Sequence, residues 1–366
     1  MTRVLAVRLD NAGDVLLAGP ALRALAAGAE RLDLLVSAAG APAAELLPGV
    51  DDVLVFDPPW SGMPPAEVTA EAIEDLLERL RCGGYDEAVI FTSYHQSPLP
   101  MALLAKLAGI GRVAASSDDY PGSLLDVRHR RLRADLDDVG GPEGGHEVTA
   151  ALALATAAGY PLPMGDDERL RLREPLPPLP ASVPADPYVV VHPGASAPSR
   201  GLPAGLALEV GRKLAQDAWQ VVITGGPGDL ELAHACTPFG AVNLAGQTDL
   251  ATLATVLRDA DAVVVGNTGP THLAAAVGTP VVTLFAPVVP VERWGPWRVR
   301  HRVLGDQGAA CAGSRARECP IPGHPCVSGV DPDDVVQAVR ELVAADLAAR
   351  DAQSGGTYRA PASGGS

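Results

Sequence analysis

A chain of 366 residues with 47% hydrophobic and 4% aromatic side chains has enough apolar mass for two domains, with cores built mainly of Ala, Val and Leu. Its 28 basic and 44 acidic side chains leave a formal net charge of -16, which argues against broad electrostatic binding to nucleic acid or anionic membrane but leaves room for a local basic pocket. Arg8, Asp10 and Asp14 interrupt what would have to be the apolar region of a signal peptide, no run of 18 apolar residues occurs, and five cysteines in so long a chain make no disulfide scaffold, so the sequence predicts a cytoplasmic protein.

Residues 4–9 form a short apolar run containing Arg8. A polar turn, Asp10-Asn11-Ala12-Gly13-Asp14, and an apolar helix follow. The turn lacks the G-x-G-x-x-G pattern, so it is no dinucleotide fingerprint. Asp14 at the start of the helix reads either as a capping carboxylate or as a general base facing a cleft, and the local sequence leaves both open. Further strands are predicted at 32–36, 53–56 and 87–91, with a helix at 66–81. Short apolar strands alternating with helices indicate an α/β, doubly wound parallel sheet. After residue 91, Thr92-Ser93-Tyr94-His95-Gln96 is a polar loop at a strand's carboxyl end, so His95 either faces a ligand or sits in a solvated turn. His146 opens a helix behind a glycine-rich loop.

The proline-dense stretch at 174–187 predicts a semi-rigid linker (176–187) that closes a first domain at about residue 175. A second domain, 188–330, repeats the pattern with strands at 188–192, 220–224, 262–266 and 281–285 and helices at 204–216, 230–235 and 250–258. A closing helix is expected at 331–349, begun by Pro332 and acidic neighbours, and a disordered tail at 350–366. Two such domains place a cleft between them.

In a parallel sheet the strand-to-helix loops emerge on one edge, where ligands bind. The second domain brings three there. HPGASAPSRGLP supplies Ser196, Ser199 and Arg200. GGPGD supplies backbone N–H groups and Asp229. Asn267-Thr268-Gly269-Pro270 precedes a helix expected to open at Thr271, with His272 in its first turn. Helix starts and a cation suit a diphosphate, and a carboxylate suits ribose hydroxyls. The Asp259-Ala260-Asp261 triplet has the form of a metal-binding D-x-D, but it precedes its strand, so about 17 Å of extended chain separates it from the ligand edge. Cys311, Cys319, His324 and Cys326 fall within one loop and could close a structural zinc site, although no C-x-x-C pair is present; buried reduced thiols are the alternative.

Four stretches, RLDNAGDVLLAGPALRAL, HPGASAPSRGLP, GGPGDLELA and VGNTGPTHLAAAVGTPVVTLFAP with the later RWGPW, closely resemble glycosyltransferase family 9, the ADP-heptose heptosyltransferases, over about residues 1–345. The resemblance implies a GT-B fold, with an acceptor bound in the N-terminal domain and a nucleotide sugar in the C-terminal domain. It also implies inverting transfer that requires no metal or other cofactor. On this basis Asp14 matches the catalytic aspartate, and Asp10, Asn11, Gly13 and His95 fall on the acceptor side. Thr268, Gly269, His272, Arg200 and Asp229 match donor-binding positions, beside Ser196, Asn267 and Pro270. Three positions depart from the family pattern: Arg200 stands where lysine is usual, Asp229 where glutamate is, and Asn267 where aspartate is. Arginine keeps the charge with a different geometry. The expected partners are a nucleotide-sugar donor and a glycan, glycolipid or small-molecule acceptor, handled by a monomer with peripheral membrane contact allowed. Two alternatives are a nucleotide-sugar-binding protein without turnover, motivated by Asn267, and a GT-B relative that hydrolyses or epimerises the sugar nucleotide.

Overall fold

The computed structural model describes residues 2–62, 64–93, 95–130 and 145–353. Among the described residues twelve strands form two sheets. The first contains β1 (Arg3–Arg8), β2 (Arg31–Val36), β3 (Asp52–Val55), β4 (Glu87–Ile90), β5 (Arg112–Ser116) and β6 (Val127–His129). The second contains β7 (Tyr188–His192), β8 (Gln220–Ile223), β9 (Val242–Asn243), β10 (Ala262–Gly266), β11 (Val281–Leu284) and β12 (His301–Leu304). Their spatial orders are β3-β2-β1-β4-β5-β6 and β12-β11-β10-β7-β8-β9, and all the named strand pairs are parallel. Each sheet follows the doubly wound order, which reverses direction between its first and fourth strands and opens a crevice at the carboxyl ends there.

The central strands read as unbroken apolar runs because helices cover both faces. Val4, Leu5, Ala6 and Val7 of β1 are all buried, as is every residue of β7 and β10. Helix Ala70–Gly83 starts later than the residue expected from pattern alone, because Thr69 caps it by accepting from the Ala72 N–H at 3.3 Å. Helix Gly269–Val277 starts earlier than Thr271, since Gly269 and Pro270 already take helical positions. Residues 174–187 carry no helix or strand, and the Thr255 hydroxyl ties this stretch to the second sheet's helix through the Pro177 carbonyl at 2.8 Å. The closing helix, Pro332–Gln353, runs past the expected end at 349, so residues 350–353 belong to it and not to a tail. The rest of the expected tail, 354–366, lies outside the described residues.

Candidate active site

Strand β1 ends on Arg8, whose side chain is only 4% exposed. Its Nε lies 2.8 Å from Asp10 Oδ2, and one terminal nitrogen donates to Asp14 Oδ1 at 3.1 Å and to Ser93 Oγ at 3.0 Å. Glu147, itself buried, stands 3.7 Å away and also meets Arg293 at 3.4 Å. Burial alone would lower the Arg8 guanidinium, but the carboxylates of Asp10, Asp14 and Glu147 outweigh it and hold the group above its ordinary value. Burial pushes the Asp10 carboxyl up to about 6 against the pull of Arg8, while Gln96 donates to its Oδ1 at 2.6 Å.

Asp14 sits in the first turn of helix Ala12–Leu17, whose N-cap position is taken by Asn11. Its Oδ1 accepts from Arg8 and from Trp294 Nε1 at 3.2 Å, which fixes the carboxylate's plane. Its Oδ2 has no hydrogen-bond partner among the described residues, and the side chain is 21% exposed at the wall of a cavity of about 1010 Å³. One oxygen anchored and one open is the arrangement a proton acceptor needs.

That cavity lies where the carboxyl edges of the two sheets face each other. Loops after β1 and β4 contribute Asp10, Asn11, Asp14 and His95, and the loop after β7 contributes Ser196 and Arg200. Arg315 and Arg317 join them from the cysteine-bearing loop, which is pinned in place where Arg317 donates to the Ser196 carbonyl at 2.6 Å and Ser199 Oγ to the Ala316 carbonyl at 2.6 Å. Burial lowers the Arg200 guanidinium, Asp14 raises it and the two other arginines lower it further; its buried Nε has no partner among the described residues. Carboxylates therefore line one wall and three guanidinium groups the other. His95, also lowered from its ordinary value by desolvation and by Arg315, stands between them.

The remaining predicted donor residues, Asp229, Asn267, Thr268, Gly269, Pro270 and His272, are not among the residues that line this cavity. The Thr271 hydroxyl donates to the Gly266 carbonyl at 2.6 Å and tightens the turn that carries Thr268, Gly269 and Pro270. The start of this helix abuts the start of helix Ala12–Leu17, for a Cβ added at Gly13 would lie 3.0 Å from His272 Cδ2 and 3.1 Å from Gly269 Cα. His272 is buried and pushed down to about 3, so its ring is neutral and offers at most one N–H to an anion; its Nδ1 has no partner among the described residues. Asn267 is buried too, with Nδ2 donating to the Ala286 carbonyl at 3.5 Å and Oδ1 without a partner among the described residues. Asp229 uses Oδ2 to accept from the Gly226 N–H at 2.8 Å and packs on Gly194, where a Cβ would come within 2.3 Å of it, so half of this carboxylate is committed to its own turn.

Two competing sites fail to assemble. Asp259 pairs with Arg258 at 2.8 Å and Asp261 accepts from Trp219 Nε1 at 3.1 Å, both before β10 and away from the cavity. Cys311, Cys319, His324 and Cys326 do not form a metal cluster: among the described residues no group of three or more His, Cys, Asp and Glu side chains is placed to hold an ion. Burial instead raises the Cys326 thiol to about 11, next to Cys311, and all five cysteines are free. His146 is the N-cap of helix Glu147–Ala157, accepting from the Val148 N–H through Nδ1. Sequence reasoning missed Arg315, Arg317, Glu147 and Trp294; the two arginines lie in the cysteine-bearing loop, and nothing in their local pattern says that this loop folds over the cavity.

The sequence profile of glycosyltransferase family 9 (heptosyltransferase) matches residues 99–324, more than half of the chain. The chain belongs to glycosyltransferase family 9. Among curated relatives, lipooligosaccharide heptosyltransferase 2 of Campylobacter jejuni is 26% identical over 101 residues, 28% of this chain and 31% of that protein. Lipopolysaccharide heptosyltransferase 3 of Escherichia coli is 35% identical over 118 residues, 31% of this chain and 34% of that protein. The matched stretch thus spans about a third of the length of these relatives. The structure of E. coli ADP-heptose LPS heptosyltransferase II superposes with a TM-score of 0.71 at 20% identity, covering 94% of this chain and 100% of that one. The family 9 fold is thereby extended over both sheets, and the two facing doubly wound sheets are the GT-B architecture.

Proposed function

We propose that this chain is an inverting glycosyltransferase that moves a heptose or related sugar from a nucleotide-sugar donor, ADP-linked by analogy with its relatives, to a hydroxyl of a glycan, glycolipid or small-molecule acceptor. The observation that carries this reading is the single open oxygen of Asp14, held at the wall of a large interdomain cavity with Arg200 on the opposite wall. The acceptor hydroxyl gives its proton to Asp14 Oδ2 as its oxygen bonds the anomeric carbon. On the other face the bond from that carbon to the phosphate oxygen breaks, and the electron pair leaves with the nucleoside diphosphate. Arg200, Arg315 and Arg317, with the N–H groups at the start of helix Gly269–Val277, supply the positive charge that the leaving group requires, so the reaction needs no divalent ion in this reading. The carboxylates belong to the acceptor half and the guanidiniums to the donor half, so both substrates can be engaged at once; in this reading the protein works as a monomer in the cytoplasm. Among the described residues no helix is long and apolar enough to cross a membrane.

The test is a panel of ADP-, GDP- and UDP-sugars screened by thermal shift, followed by product NMR with the best donor in the presence of EDTA. The reading expects stabilisation by an ADP-linked sugar, transfer that survives EDTA, and an anomeric configuration opposite to the donor's. Retention of configuration, or product release without an acceptor, contradicts it.

A further inference from the structure

Trp294 lies 280 positions after Asp14 in the chain, yet its indole N–H reaches the same carboxylate oxygen that Arg8 holds. It belongs to a strap, residues 293–298, that leaves the second sheet and lies across the first half of the molecule at successive positions. Arg293 meets Glu147 at 3.4 Å, and the Gly295 carbonyl lies 2.9 Å from His146 Nε2. Trp297 packs against the His146 ring at 4.4 Å between centroids and donates through Nε1 to the Glu168 carbonyl at 2.8 Å, and Arg298 pairs with the Glu168 carboxylate at 2.5 Å. Both tryptophans pack on a small apolar cluster made of Leu17, Val148 and Leu170 from the first half and Ala275 from the second. At Gly295 the strap packs closely on the turn before it: the Gly295 N–H donates to the Val291 carbonyl at 2.7 Å, and a Cβ there would come within 2.8 Å of that oxygen.

We propose that Trp294 is a positioning residue for Asp14: contributed by the donor half of the molecule, it fixes the rotamer of a base contributed by the acceptor half. A carboxylate held by Arg8 alone can swing about that single contact. With a second donor on Oδ1 from the opposite side, the plane is set and Oδ2 is turned to the cavity. Glu147 braces the same arrangement from behind, because it sits between Arg8 and the strap's Arg293. The base is therefore correctly aimed only when the two halves are apposed, so alignment and closure of the cleft are one event.

This inference rests on the transferase reading above, and its test separates the two. Trp294→Phe keeps an aromatic ring, though a smaller one, and removes the N–H, while Trp297→Phe alters the same strap without touching Asp14. With wild-type transfer established, Trp294→Phe lowers kcat by about tenfold to a hundredfold, the scale of losing one hydrogen bond to a charged group in the transition state, and leaves the donor and acceptor KM within about twofold. Trp297→Phe lowers the melting temperature and leaves kcat within about twofold. If Trp294→Phe folds poorly, benzothienylalanine at position 294, which has the shape of tryptophan with sulfur in place of N–H, is expected to give the same loss of kcat. A Trp294→Phe enzyme with wild-type kcat, or one whose kcat and KM change in parallel with Trp297→Phe, overturns the proposal. Absence of transfer in the wild-type protein would instead sink the transferase reading itself.

Discussion

Arg8 shows how a single residue fixes the chemistry available at this site. It is a charged side chain that follows four buried apolar residues of β1, and it is tolerated because three carboxylates surround it. Arg8→Met should cost roughly 3–5 kcal/mol in urea unfolding at pH 7, since removal of one partner strands buried charge. The loss should shrink toward pH 5, where Asp10, raised to about 6 by burial, takes up a proton. His192 gives a second residue-scale expectation. Burial lowers it to about 4, whereas in the unfolded chain it titrates near 6.5, so between these values only the unfolded state binds the proton. Its contribution is present above pH 6.5 and is lost as pH falls, reaching about 2 kcal/mol at pH 5. Thermal unfolding of His192→Gln should therefore depend less steeply on pH than the wild type over this range, and identical slopes would contradict the assignment. Asp14, which lines the cavity, was singled out in the sequence by its turn and by the family resemblance. Trp294, Glu147, Arg315 and Arg317 were not, because each acquires its meaning from a neighbour far away in the chain.

At the scale of elements, β1 to β4, β7, β8, β10 and β11 were readable, the edge strand β3 among them, and β5, β6, β9 and β12 were not. β7 and β10 are continuous apolar runs and fall at their expected bounds. β6, β9 and β12 are short or half-exposed strands that mix polar with apolar residues, so no unbroken run announces them. β5 is alanine-rich and flanked by Arg112 and Ser116, which hides it in the same way. The decisive juxtaposition, two helix starts meeting at Gly13, has no sequence signal beyond a glycine. Gly13→Ala places a methyl 3.0 Å from His272 Cδ2 and 3.1 Å from a backbone carbon, so the facing helix start must give by a few tenths of an ångström. Loss of about 1–3 kcal/mol of stability together with weaker donor binding is expected, measurable by unfolding and calorimetry. An alanine variant with wild-type stability and affinity would show that the helix starts are not in close contact.

The whole molecule combines two facing sheets of the same order into one cleft with opposite charge on its walls, within a chain of formal charge -16. The doubly wound order explains why the cleft forms there, since each sheet opens its crevice at the carboxyl ends of its central strands. Sequence pattern predicted both sheets and the loops that meet, but the closing helix, expected to stop at 349, continues to Gln353. The central claim is that Asp14 removes the acceptor proton while the donor is held by other groups. The most direct measurement compares Asp14→Asn with wild type, using calorimetric donor binding and single-turnover release of nucleoside diphosphate in the presence of acceptor. The account predicts unchanged donor affinity and transfer reduced by at least about a hundredfold. Transfer by Asp14→Asn at the wild-type rate would contradict it.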